Sequence, residues 1–179
     1  TLHGRQDNKG LSTFYNNFSD FPLISISNYQ RKPLQNAKCN WAGTIYHGVP
    51  MENYKANLSG KRDYLAFLGR FSEEKGPDTA IRIARRVGMP LKMAAKIDHL
   101  DPGNASFYKT VIAPELEKPD VEYVGEITEF EKSDFLGGAQ ALVFPIRWPE
   151  PFGLVMIEAM ACGTPVIAFR NGSVPEIIE

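Results

Sequence analysis

From Tyr64 onward, short apolar runs alternate with longer amphipathic ones. Residues 64–68, Tyr-Leu-Ala-Phe-Leu closed by Gly69, predict a buried strand, because a short apolar run bounded by a turn residue suits a strand covered on both faces. A helix is expected from about Pro77. Proline fits a first turn, Asp78 complements the helix dipole, and Arg85, Arg86 and Gly88 mark the far end. Residues 91–95 predict a second strand, and residues 103 to about 117 a helix with Phe107, Val111, Ile112 and Leu116 on one side. Residues 121–125 form a third expected strand, 129–135 a short helix, 141–144 a fourth strand and 165–169 a fifth. The first fifty residues repeat the alternation in shorter form, with strand-like 23–26 and 44–46 around a helix between Asn28 and Asn36.

Strands separated by helices of this length require parallel crossovers, hence an α/β, Rossmann-like parallel sheet covered on both faces. In such sheets ligands bind beyond the carboxyl ends of the strands, and the unusual residues here lie just after strand ends. The polar stretch 51–63 is expected to be a linker. It would separate the end of one domain (1–50) from a second domain (64–179). Thr1-Leu2-His3 reads as the tail of a strand and residues 174–179 as a helix stopped in its first turns, so the chain is expected to be a piece of a longer protein, cut short at its C-terminus.

From Leu154 to Cys162 every residue except Glu158 is apolar. A short helix apolar on all sides is normally buried, and a carboxylate there needs a partner or a polar ligand; the plain alternative is an incidental wet edge. Gly153 leaves the backbone N–H groups at the helix start open to close approach, and Glu150 stands before it between Pro149 and Pro151. Glu158 lies about five residues into the helix, roughly 7 Å along its axis. The two carboxylates are therefore expected to touch different parts of one elongated ligand rather than share a proton. Glu158 can accept both hydroxyls of a ribose, and Glu150 those of a sugar.

Gly69-Arg70 follows the first of these strands and Lys75-Gly76 precedes its helix. A lysine at a helix N-terminus opposes the dipole unless an anion is there. Two cations around that N-terminus, with glycines giving the backbone room, suit a phosphate or diphosphate. The alternative is a surface Lys75 with Arg70 paired to Glu73 or Glu74.

The run Glu150-Pro151-Phe152-Gly153-Leu154-Val155-Met156-Ile157-Glu158, continuing through Ala159-Met160-Ala161-Cys162-Gly163-Thr164-Pro165, resembles the signature of retaining GT-B glycosyltransferases of glycosyltransferase family 4. Gly69 to Gly76 resembles that family's diphosphate segment, Val124-Gly125-Glu126-Ile127 its base-binding turn, and His47-Gly48-Val49 its crossing into the nucleotide domain. The resemblance implies a GT-B C-terminal donor domain with the last strands of the N-terminal, acceptor domain. It implies that Arg70 and Lys75, with Gly69, neutralise the leaving diphosphate, and that Gly125 and Ile127 line the base. Glu150 would contact the donor sugar, with backbone N–H groups of Phe152, Gly153, Leu154 and Val155 nearby. Glu158 would hold the ribose, and His3 would reach the sugar near the reacting carbon. The implied donor is a nucleoside diphosphate sugar, UDP-linked, and the acceptor is open. His47 stands where many members carry Asn, Ser173 replaces a second glycine, and Arg147 and Trp148 in a longer segment before Glu150 are expected to alter sugar preference. His47 and His99 are expected to be structural.

Composition narrows the rest. A formal net charge of −1 gives no support to a nucleic-acid partner, and no apolar run approaches the roughly 20 residues of a membrane-spanning helix. Peripheral membrane contact of the longer protein stays open. Cys39 and Cys162 have no metal or redox spacing, and a small core Cys162 suits a reducing cytoplasm. Neither a metal set nor a cofactor beyond the donor is expected. No strand is followed by a Gly-x-Gly-x-x-Gly turn, which disfavours a dinucleotide oxidoreductase. A nucleotide-sugar-binding module without transfer activity and a GT-B epimerase are the alternatives. The 179 residues alone are expected to be inactive.

Overall fold

The computed structural model describes residues 1–57 and 60–178. Leu58 and Ser59, inside the expected linker, and Glu179, at the end of the last expected helix, lie outside the described residues. The chain divides into two compact units. One comprises Thr1–Gly48, Pro149–Leu154 and the stretch from Arg170 onward; the other comprises Val49–Trp148 and Val155–Phe169.

The first unit opens with a helix the apolar pattern did not announce, α1 (Leu11–Asn17). Strands β1 (Pro22–Ser25) and β2 (Asn40–Thr44) then pair in parallel, Pro22 opposite Asn40 and Ser25 opposite Thr44. The second strand thus ends where residues 44–46 led us to expect it to begin. Pairing with β1 sets the register, and Ile45 and Tyr46 beyond it are exposed. Residues 1–3 form no strand, although the Leu2 N–H donates to the Ile24 carbonyl at 2.9 Å. The helix expected between Asn28 and Asn36 is a 3-10 segment, Tyr29–Leu34. Pro33 inside it has no N–H to continue an α-helical ladder. Its first turn is held by the Glu176 carboxylate, which accepts from the N–H groups of Asn28 (2.8 Å) and Tyr29 (2.6 Å).

The second unit contains the predicted sheet. Strands β3 (Tyr64–Arg70), β4 (Leu91–Lys96), β5 (Val121–Gly125), β6 (Ala139–Phe144) and β7 (Val166–Ala168) are all parallel and lie in the order β5-β4-β3-β6-β7. Successive side chains point to opposite faces. Leu65, Phe67, Leu91, Met93, Ala141 and Val143 therefore share one face, where they form a core with Ile81 and Ala84 of α2 (Pro77–Val87) and with Ile112. Ala66, Ala94, Leu142 and Phe144 on the other face are buried too, as a sheet covered on both sides demands. The helix expected over 103–117 is interrupted: α3 (Pro102–Phe107) passes through a π segment, Tyr108–Ile112, into α4 (Ala113–Leu116). Pro114 can give no hydrogen bond four residues back and its ring crowds that carbonyl; a widened turn relieves both.

The chain grows outward from β3 through β4 to β5, then returns by α5 (Glu129–Gly137) to place β6 on the other side of β3. Right-handed crossovers put the helices of the two halves on opposite faces. The β3/β6 junction is thus the topological switch point, where a crevice opens at the strand ends. From β6, α6 (Leu154–Ala161) leads to β7, and α7 (Val174–Ile177) belongs to the first unit.

Candidate functional site

Within the second unit, the loops after β3 and β6 meet at the switch point. Gly76 caps α2 with φ +70°, and a Cβ built on it would stand 2.4 Å from the Pro145 carbonyl oxygen. The Arg147 N–H donates to the Glu74 carbonyl at 2.8 Å, and its guanidinium to Thr79 Oγ1 at 2.9 Å and to Asp78. Arg147, singled out from sequence for sugar preference, is here a tie between the two loops. Trp148 lies under Lys75, whose Nζ stands 4.9 Å from the ring centroid. Arg70 pairs with Glu74 at 3.3 Å and more loosely with Asp98 at 3.9 Å. The pairing with Glu74 raised above is therefore present, on a side chain that stays half exposed. Between the two cations in the sequence, Ser72 carries a hydroxyl that is buried without a hydrogen-bond partner among the described residues. Gly69 is the next-to-last residue of β3, before Arg70; Gly125 ends β5 with φ +86°, and Ile127 follows it two residues on.

Helix α6 is less enclosed than its composition suggests: Met156, Glu158 and Ala159 are buried, while Leu154 and Met160 face outward. Glu158 retains 5% of its exposure. Its Oε1 accepts from Lys132 Nζ at 2.8 Å, a partner on α5 that sequence inspection missed. The lysine sits 26 residues away, and no local pattern joins the two.

Glu150, Phe152, Gly153, Leu154 and His3 belong to the first unit. There the turn before α7 holds the Glu150 segment by its backbone. The Ser173 N–H donates to the Glu150 carbonyl at 3.0 Å and its hydroxyl to the Phe152 carbonyl at 2.8 Å. Gly172, at φ +61°, passes so close that a Cβ would lie 2.5 Å from the Glu150 nitrogen. The serine that departs from the familiar second glycine thus adds a hydrogen bond to the loop.

His3 stacks on His47 at 5.2 Å and 13°, and His47 meets Phe152 edge-on at 5.0 Å. His47 is therefore the middle of three rings, stacked on one side and met edge-on from the other. Burial, and next the charge of His3, hold its pKa below the ordinary imidazole value. The unfolded chain then takes up a proton first as pH falls through about 6.5, so stability present above that value is lost below it. His47→Asn is expected to flatten the fall in melting temperature between pH 7.5 and 5.5. Equal pH slopes for the two proteins would remove His47 from this account.

Among the described residues no group of three or more His, Cys, Asp and Glu is placed to hold a metal, and no helix is long and apolar enough to cross a membrane.

Residues 51–179 match the family described as Glycosyl transferases group 1. The chain is 29% identical to an uncharacterized glycosyltransferase of Methanocaldococcus jannaschii, over 99% of this chain and 50% of that protein. It is 33% identical to a D-inositol 3-phosphate glycosyltransferase of Pseudarthrobacter chlorophenolicus, over 64% of this chain and 28% of the other. The chain thus spans half or less of the length of these curated relatives. Among solved structures it is similar to AviGT4, a glycosyltransferase involved in avilamycin A biosynthesis, with TM-score 0.67 and 26% identity over 86% of this chain and 46% of that one. It shares the fold of the Anabaena protein HepE, solved with UDP and glucose, at TM-score 0.80 and 20% identity over 99% and 54% of the two chains. The parallel α/β sheet is that of the GT-B glycosyltransferases.

Proposed function

Since the chain belongs to the Glycosyl transferases group 1 family, we propose that the whole protein transfers a sugar from a nucleoside diphosphate sugar to an acceptor with retention at the anomeric carbon. One observation carries the chemistry: at the β3/β6 switch point the glycine-capped start of α2, flanked by Arg70 and Lys75, packs directly against the loop after β6. A crevice of this kind with a helix N-terminus and two cations suits a diphosphate. The Arg70–Glu74 pair is half exposed, and such pairs contribute at most about 1 kcal/mol, so a doubly charged phosphate group displaces Glu74 readily.

In this proposal Arg70, Lys75 and the backbone dipoles offset the charge building on the departing diphosphate, the usual electrostatic route to a faster bond cleavage. Glu158 accepts the ribose hydroxyls, Gly125 and Ile127 flank the base, and Glu150 and His3 attend the sugar. Glu150 serves the sugar hydroxyls and the positive charge of an oxocarbenium-like transition state rather than forming a covalent intermediate. UDP is the first nucleotide to test, being the one in the solved HepE complex.

Titration of the chain with UDP, GDP and ADP, followed by ligand-observed NMR, tests the donor site. One nucleotide is expected to bind, with Glu158→Ala and Lys75→Ala each weakening it about tenfold, the weight of a hydrogen bond or contact to a charged group. A nucleotide that bound both variants as tightly as the parent would place the donor elsewhere.

A further inference from the structure

We infer that Lys132 is a positioning residue for Glu158, holding that carboxylate aimed so that the site distinguishes a ribose from a deoxyribose. The inference rests on the proposal that Glu158 receives the ribose. Its own observation is a four-membered cluster inside the second unit, drawn from three places in the chain: Tyr54 just after the turn Met51–Asn53, Glu129 and Lys132 from α5, and Glu158 from α6.

The geometry is specific. Lys132 Nζ lies 2.8 Å from Glu158 Oε1 and 2.7 Å from Glu129 Oε2, so one ammonium is clamped by two carboxylates. Glu129 in turn accepts a hydrogen bond from the Tyr54 hydroxyl, on a side chain only 5% exposed. Each group has a reason to stay in its state. Burial, then the hydrogen bond to Glu129 and the nearness of Glu158, push the Tyr54 phenol well above its ordinary pKa, which keeps it a donor. Lys132 first, then Tyr54, hold the Glu129 carboxyl below the usual range. Burial pulls Lys132 down, but its contacts with Glu129 and Glu158 outweigh that and leave it raised.

A carboxylate as enclosed as Glu158 is costly to bury without a cation at contact distance. Lys132 supplies the cation, and Glu129 and Tyr54 fix where it stands. Each carboxylate oxygen accepts more than one hydrogen bond, so the contact at Oε1 leaves Glu158 able to receive the two vicinal hydroxyls of a ribose. Two carboxylates facing one ammonium also leave the cluster with a surplus of acceptor charge, which favours hydroxyl donors and repels phosphate. The cluster therefore selects the sugar half of a nucleotide and leaves the diphosphate to Arg70 and Lys75. Without Lys132, Glu158 loses the contact that aims it and turns away, and the preference for a 2′-hydroxyl fades while diphosphate binding persists.

The test compares dissociation constants of the full chain for UDP, GDP and ADP, each beside its 2′-deoxy form. The parent chain is expected to favour the ribonucleotide about tenfold. Lys132→Met is expected to bring the ratio close to one, weakening the ribonucleotide more than the 2′-deoxy form, which has only its 3′-hydroxyl to lose, and Lys132→Arg to keep most of the preference. Retained 2′-deoxy binding also shows that the variant is folded. Should Lys132→Met not fold, Glu129→Gln, which loosens one jaw of the clamp, is expected to reduce the ratio partway. A parent preference that survived both Lys132→Met and Glu129→Gln would overturn the role of Lys132 and leave Glu158 in place. No preference in the parent would overturn both, because Glu158 would then not be reading the ribose.

Discussion

Glu150→Gln, made in the whole protein, is expected to lower sugar transfer about a hundredfold, the scale seen when one preorganised charge-stabilising group is removed. The substitution keeps the shape of the side chain and most of its hydrogen bonding, and removes the negative charge. A positive charge on the sugar exists only as the bond to the diphosphate breaks, so an interaction with it is stronger in the transition state than in the bound substrate. Removing it lowers kcat and leaves KM nearly unchanged. The backbone supports this assignment. The Ser173 N–H and hydroxyl hold the carbonyls on either side of Pro151, and Gly172 packs against the Glu150 nitrogen. A side chain carried on a loop so closely held is presented in one place, as positioning near a reacting carbon requires. Steady-state kinetics on the whole protein with a UDP-sugar donor decide the matter: an unchanged kcat, or a loss confined to KM, would take Glu150 away from the developing charge.

The parallel sheet was legible because its strands are short, largely apolar runs bounded on at least one side by Gly or Pro. Residues 64–68, 91–95, 121–125 and 141–144 each match an observed strand to within two residues at either end. A strand buried on both faces leaves little choice of side chain, so local composition carries the information. The first unit was less legible. The run 44–46 has strand-like composition, yet β2 covers Asn40–Thr44, because its partner is a four-residue strand whose register no local pattern reveals. Pro33 and Pro114 were both visible in the sequence, and each reshaped a helix through the hydrogen bond it could not make.

The candidate site divides along the same line. Glu158 drew attention as a lone carboxylate in an apolar helix, and the need for a partner followed from the cost of burying it. Which partner did not follow, since Lys132 reaches it from another helix through tertiary packing. Arg147 was noticed as a departure from a familiar pattern. Its place, tied to Asp78, Thr79 and the Glu74 carbonyl, depends on two loops meeting at the switch point. His47 was read as structural; the particular contacts it makes, stacked on His3 and edge-on to Phe152, draw on residues more than a hundred positions apart.

That meeting of loops also makes a demand on a single position, and the second large effect is expected there. Gly76 and Gly88 bracket α2, both with positive φ, at +70° and +67°. An alanine at either must adopt a left-handed conformation at about 1–2 kcal/mol. At Gly88 nothing lies within 4 Å of the new methyl group, so that is the whole cost. At Gly76 the methyl would stand 2.4 Å from the Pro145 carbonyl oxygen, a backbone atom that no rotamer change can move aside. Opening that gap means shifting the end of β6 away from the start of α2, at a further 1–3 kcal/mol or so, by analogy with overpacked cores. With about 2–4 °C lost per kcal/mol in a chain of this size, Gly88→Ala is expected to lower the melting temperature by about 2–8 °C, and Gly76→Ala by up to about 20 °C. Thermal unfolding of the two variants side by side separates the shared conformational cost from the contact. If they melted together, the close approach of the two loops would carry no weight, and the packing that brings Arg70 and Lys75 to the switch point would have to be held by something other than Gly76.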